Sequence, residues 1–126
     1  MTPLAKDYDP YEYFVEMASK YNENWHALFI VPRVLHRNEG MRKLYQMLEQ
    51  AGIPARIQVT KRRVLANGGA TADFKVAHEN MLKQIQGVEY QQIEGTEYLT
   101  KQQEEHMRPM LRTHHSLALA KDMVIR

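Results

Sequence analysis

The run Ala27-Leu28-Phe29-Ile30-Val31 carries no polar side chain, and Pro32 and Arg33 stop it. A strand with one wet face alternates apolar and polar residues, and this run does not. It is also far too short for a free-standing helix or a membrane span. The run is therefore predicted to be a central strand of a largely parallel sheet, buried on both faces. The rest of the chain has to supply that cover.

Helical signals stand on either side of the run. Asp9-Pro10-Tyr11-Glu12 opens a helix: Asp9 caps it, Pro10 suits the first turn, and Glu12 completes the capping pattern. Tyr11, Phe14, Val15, Ala18 and Tyr21 then fall on one stripe, and Asn22 and Asn24 break the helix. After the run, Asn38 is predicted to cap a second helix whose stripe is Met41, Leu44, Tyr45, Leu48 and Ala51. Gly52 and Pro54 end it.

Alternation follows. Ile57 and Val59 face one way, and Arg56, Gln58 and Thr60 the other; the pattern resumes after Asn67-Gly68 in Ala70, Ala72, Phe74 and Val76. Asn-Gly tolerates positive φ at both turn positions, so two antiparallel strands are expected around it. A short helix over His78–Gln86 is expected to bury Met81, Leu82 and Ile85 and to end at Gly87. Val88–Glu94 reads as a strand. Thr100-Lys101-Gln102-Gln103 is a second capping box, opening a helix with Met107, Met110 and Leu111 that Pro109 kinks or ends. Ser116–Val124 reads as a last helix. The order predicts an α/β fold of three layers: a largely parallel sheet with an antiparallel hairpin, covered on both faces.

The length of 126 residues suits one domain, placed at residues 9–126 behind a flexible arm at 1–8. With no cysteine, disulfides and thiolate metal sites are excluded. No membrane association is expected, and Met1–Asp7 holds no signal-peptide apolar region. The expected location is the cytoplasm, that of the host for a viral protein. The formal net charge of +2 neither demands nor excludes a nucleic-acid partner.

The span Ala27–Thr113 resembles the ATPase core of phage terminase large subunits and, more loosely, of helicases. Leu28-Phe29-Ile30-Val31-Pro32-Arg33 is similar to the family's strand ending in arginine, and Asn38–Gly52 to the helix after it. Val64–Phe74 resembles its asparagine-glycine hairpin, and Lys83–Tyr90 the segment entering the Walker B strand. Gln92–Thr100 sits where that strand ends in two acids, and Met110-Leu111-Arg112-Thr113 resembles the helix that follows. The resemblance implies a P-loop-NTPase-like core. Yet none of the six glycines precedes a lysine, so the loop that cradles phosphates is missing. Thr96 stands where the resemblance implies a magnesium-holding acid, and Glu97 where it implies the catalytic glutamate. Without cradle and metal acid, Glu97 has nothing to activate water against and reads as a relic, a loop-end or a capping acid. The chain is also too short for a terminase nuclease domain. No cofactor is expected.

Arg33, Arg37, Lys61, Arg62 and Arg63, with Arg42 and Lys43, are candidates for a phosphate-binding face, which needs only placed positive charge. The bland alternative is a solvated basic face partly neutralised by Glu39 and Glu49. His106, His114 and His115, near Glu104 and Glu105, match no tight metal-ligand spacing, and no metal is expected. His36 and His78 show no acid–base partner in the sequence. Tyr8, Tyr11, Tyr13, Phe14 and Trp25 suit base stacking or, more commonly, a core. The eight methionines suit core filling or an adaptable partner surface.

The leading functional expectation is a non-catalytic, terminase- or helicase-like accessory protein. It would bind DNA or a component of a DNA packaging or replication machine. One alternative is a protein-interaction module, an inhibitor or assembly factor presenting an ATPase-like surface to a phage or host protein. Another is a small metal-dependent nuclease using Asp73, Glu94 and Glu97.

Overall fold

The computed structural model describes residues 8–66, 68–78, 88–105 and 117–126. The apolar run forms β1 (His26–Val31), and it lies inside a sheet, as its lack of alternation requires. Helix α1 (Pro10–Tyr21) precedes it, with the Asp9 carboxylate accepting the Tyr11 N–H at 2.9 Å. Phe14, Met17 and Ala18 point into the core, and Asn22, at φ 55°, ends the helix. Helix α2 (Val34–Gln50) follows β1 almost at once. It begins four residues before the expected cap at Asn38: Arg33 is its extended N-cap residue, and its carbonyl accepts the Arg37 N–H at 3.1 Å. Because the chain turns over directly after Pro32, the capping signal at Asn38 falls inside the helix and is overridden.

Three strands then run in place of the expected two: β2 (Ala55–Gln58), β3 (Arg63–Ala66) and β4 (Thr71–Val76). The extra reversal lies at Val59–Arg62, where Arg62 takes φ 54° and its N–H bonds the Val59 carbonyl at 3.2 Å. A turn built on arginine, without Gly, Pro or Asn, gives the sequence reader no signal. The expected Gly68 turn joins β3 to β4, and Ala66 and Ala70 close it with a 2.8 Å backbone bond. The expected strand over Val88–Glu94 narrows to β5 (Gln92–Glu94). Helix α3 (Leu117–Asp122) and β6 (Val124–Ile125) follow near the end of the chain. The Thr100 capping box forms in both directions: the Thr100 N–H bonds the Gln103 side-chain oxygen at 2.9 Å, and the Gln103 N–H bonds the Thr100 hydroxyl at 3.2 Å. The helices expected over His78–Gln86 and around Met107–Leu111 fall wholly or largely outside the described residues.

The strands make one mixed sheet in the order β2-β3-β4-β1-β5-β6. β1 pairs in parallel with β4 and β5, and β5 with β6, while β2-β3 and β3-β4 are antiparallel. The chain is thus an α/β protein with a mixed six-stranded sheet. Alternate side chains of β1 go to opposite faces. Ala27, Phe29 and Val31 meet α1 and α2 in the larger core, with Trp25, Leu44, Leu48 and Phe74. Leu28 and Ile30 meet Ile93 and Tyr90 on the other face. Phe29 and Phe74 are partners in register and stack at 4.9 Å between ring centroids. Each fully buried large apolar side chain contributes about 1.5–3 kcal/mol.

Two glycines test how tightly this frame is held. Gly52 follows α2 at φ 78° and meets nothing where a Cβ would stand. Gly95 follows β5 at φ 90°, and a Cβ there would lie 2.1 Å from the Ile30 carbonyl oxygen. In urea unfolding, Gly52→Ala is expected to cost only the left-handed backbone penalty, about 1 kcal/mol. Gly95→Ala adds a collision with β1 and is expected to cost about 3 kcal/mol. Equal midpoints for the two variants would contradict this placement of Gly95 against β1.

Candidate functional site

The topology singles out one edge of the sheet. From β1 the chain leaves toward β4 through α2, and from β5 it leaves the opposite way, toward β6. Where connections part like this, a crevice opens outside the carboxyl ends of the two strands, the usual ligand position in open α/β sheets. Here it has a volume of about 480 Å³. The end of β1, the start of the loop after β5 and one flank of α2 (His36, Gly40, Lys43) enclose it.

The crevice holds a buried carboxylate. Glu94 is the last residue of β5, and its side chain is only 7% exposed. Three groups gather on its Oε2 atom: the Tyr8 hydroxyl, the Gln92 side-chain N–H at 2.8 Å, and the Arg126 guanidinium at 3.7 Å. Gln92 in turn accepts from the Trp25 indole at 3.0 Å and donates to the Pro10 carbonyl at 3.0 Å. Tyr8 lies under Arg126, whose guanidinium carbon is 3.7 Å from the ring centre. Arg126 is itself pinned by backbone bonds to Ile93 and Thr96. Burial pushes the Glu94 carboxyl above the usual glutamate range, against the pull of Tyr8, Gln92 and Arg126. No hydrogen bond among the described residues reaches its second oxygen, Oε1. No buried side-chain oxygen or nitrogen among them lacks a partner. Oε1 is therefore not fully buried, and Glu94 lines the crevice.

On the opposite flank of α2 lies a second depression of about 370 Å³, lined by Val34, Arg37, Arg62, Lys75 and His78 among others. Burial, and then the facing Arg62 charge, lower the pKa of Arg37 below its ordinary value. No carboxylate among the described residues pairs with Arg37, Arg62 or Lys75. Arg62 holds its place by donating to the Val59 carbonyl at 3.1 Å. A non-glycine residue at positive φ costs about 1–2 kcal/mol, and such strain gathers at functional positions.

The structure thus brings Arg37 and Arg62 together; Arg33 and Lys61 are exposed at the start of α2 and in the β2–β3 turn, outside the lining of that depression. The structure draws Arg63 away. The Arg63 guanidinium binds Asp73 at 2.5 Å, and the Tyr90 hydroxyl donates to the same carboxylate at 2.8 Å. Asp73 and Glu94 do not converge: Asp73 is in register with Leu28 and Glu94 with Phe29, on opposite faces of the pleat. The expected nuclease triad of Asp73, Glu94 and Glu97 is therefore not assembled. No group of three or more metal-ligating acids and histidines forms among the described residues.

Glu97 is exposed at the mouth of the crevice, beside Thr96 in a short 3₁₀ turn. Arg42 is exposed on α2, and Lys43 lies 5.4 Å from the Tyr11 ring centre. Of the aromatic candidates, Tyr8 and Tyr11 line the crevice, while Phe14 and Trp25 belong to the core. Tyr13 packs against Tyr8 and Trp25. His106, His114 and His115 lie outside the described residues. Sequence reasoning missed Lys75, Tyr98 and Arg126 as site residues. Lys75 showed only as the polar phase of a strand, and Arg126 reaches the site through a pairing of β5 with β6 that no local motif announces. Among the described residues, no helix is long and apolar enough to cross a membrane.

The Glu94 carboxyl binds its proton more tightly in the folded state than in the unfolded one. Its contribution to stability therefore falls as pH rises from the ordinary glutamate range toward its raised folded value. In a pH series of urea unfolding, the wild type is expected to gain stability relative to Glu94→Gln on acidification from neutrality to about pH 5. A parallel pair of curves would show that Glu94 titrates normally.

No family model, curated protein or solved structure matches the chain.

Proposed function

We propose that this chain is a non-catalytic nucleic-acid-binding accessory protein whose docking face is the carboxyl edge of the sheet beside α2. One observation carries the reading: Arg37, Arg62 and Lys75 line one depression at that edge with no carboxylate paired to them among the described residues. Placed cations of this kind bind phosphate by displacing condensed counterions, with affinity that falls steeply with salt. The like charges of Arg37 and Arg62 face each other across a concave surface, an arrangement that an anion relieves. The strained Arg62 supports the same reading, since glycine would fill that turn position more easily. The missing phosphate-binding loop argues against ATP turnover. The resemblance to terminase and helicase cores points toward a DNA packaging or replication machine.

A protein partner is the second reading, favoured by three exposed apolar side chains at the same edge. Val34 is 51% exposed, Leu35 63% and Val59 68%. Such a partner would present acidic groups to the arginines and apolar groups to these residues.

Fluorescence anisotropy with labelled single- and double-stranded DNA, between about 50 and 200 mM salt, tests the first reading. Binding is expected to weaken linearly on a log–log plot. The double variant Arg37→Ala/Arg62→Ala is expected to reduce that slope by about 2. Arg62→Gly is expected to weaken DNA binding while leaving stability unchanged or raising it by up to about 1 kcal/mol. No salt-dependent DNA binding, together with a stoichiometric protein partner lost in Leu35→Asp, would replace the first reading with the second.

A further inference from the structure

We propose that the crevice between β1 and β5 takes one unpaired nucleobase that carries an exocyclic amino group, with Glu94 as its hydrogen-bond acceptor. This inference deepens the nucleic-acid reading and rests on it for the polynucleotide case.

The chemistry of the crevice selects the ligand. Its volume of about 480 Å³ lies in the range of small-molecule pockets. Its lining mixes apolar, charged and aromatic side chains; Phe29 is buried and already stacked on Phe74, so the accessible aromatic ring is Tyr98 at the mouth. Tyr98 is 47% exposed and stands in the 3₁₀ turn after Gly95, so a ring can settle against it without disturbing the core. Aromatic faces of this kind stack bases irrespective of sequence. Glu94 supplies what stacking lacks. Its Oε2 is held by Tyr8, Gln92 and Arg126, which fixes the carboxylate, while Oε1 has no donor among the described residues and is not fully buried in this residue that lines the crevice. A carboxylate can only accept, so the ligand edge must donate. The amino groups of cytosine, adenine and guanine donate, whereas thymine presents carbonyl oxygens on either side of its one ring N–H.

The rim decides which part of a nucleotide enters. At the crevice Glu39 and Glu97 offset the charges of Lys43 and Arg126, whereas Arg37, Arg62 and Lys75 on the other flank of α2 line a depression with no acid, so the phosphate is drawn there. A single strand crossing the first turns of α2 would lay its backbone on the arginines and turn one base inward. A paired duplex has no base to offer. The shared chemistry is an amino-bearing base, and its source is either a single strand or a free nucleoside.

The test measures anisotropy of labelled oligo-dC, oligo-dA and oligo-dT, and calorimetric binding of cytidine and thymidine. Oligo-dC and oligo-dA are expected to bind about fivefold or more tightly than oligo-dT. Tyr98→Ala, an exposed substitution that spares the core, is expected to weaken oligo-dC binding about fivefold or more with the salt slope unchanged. Glu94→Gln is expected to remove the preference over oligo-dT. Salt-dependent DNA binding with no base preference and no effect of Tyr98→Ala would overturn the crevice proposal and leave the docking face standing. Cytidine binding lost in Tyr98→Ala, without any DNA binding, would support the crevice as a free-nucleoside site and sink the docking face. Binding of neither DNA nor cytidine would overturn both.

Discussion

From Ala27 to Val31, β1 has no polar side chain to give to water, so it has to be enclosed by strands at its edges and by side chains on its faces. That demand organises the molecule. Parallel partners on both sides, β4 and β5, satisfy its backbone groups. Phe29 on one face and Leu28 and Ile30 on the other anchor the two cores. Parallel partners also need crossing connections. The two connections leave the carboxyl ends of β1 and β5 in opposite directions, and the crevice is the gap between them. Burial of one apolar strand thus leads, through topology alone, to a concave site at one edge.

What lines the gap follows from register. The pleat sends Gln92 and Glu94 to the same face as Phe29, so two polar side chains enter a region built for apolar ones. Burying them alone would cost several kcal/mol. The network that relieves this cost reaches far along the chain: Trp25 and Pro10 on Gln92, Tyr8 and Arg126 on Glu94. Asp73 receives similar treatment on the opposite face from Arg63 and Tyr90. The two buried acids differ in what remains. The Asp73 oxygens are taken up by donors from neighbouring elements, whereas Glu94 keeps one oxygen that is not fully buried and has no donor among the described residues. The first arrangement holds a sheet together, and the second leaves an acceptor for something else.

Most of the frame could be read from local signals because local physics decides it. Asp9-Pro10 starts α1, the unalternating run is the interior strand, Gly52 ends α2, and the Thr100 box closes in both directions. The failures share one cause, which is long-range geometry overriding a local cue. Asn38 carries a capping side chain, but the abrupt exit of β1 starts α2 earlier. The reversal at Arg62 carries no turn residue, so β3 stayed hidden in a basic run. The site was legible only in part for the same reason. Arg33, Arg37, Lys61 and Arg62 were visible as charges, and the folding of β2 and β3 onto β4 adds Lys75 to Arg37 and Arg62. Arg63 looked equivalent to Arg62 in sequence, yet the pleat alternates their directions and commits it to Asp73.

The positive φ of Arg62 links these observations. Strand alternation after the turn places Arg63 on Asp73 and Val64 in the core, so the turn before them has to close in a fixed register. Glycine at position 62 would close it with less strain. Arginine instead bonds the Val59 carbonyl and projects a charge toward Arg37, which burial and that charge already hold below its ordinary pKa. Both the backbone strain and the electrostatic repulsion are unfavourable to the empty protein. A bound anion would offset the repulsion and give the strained arginine its counter-charge. The two penalties at one edge, beside a crevice with an open acceptor, make sense together if that edge is built to be occupied.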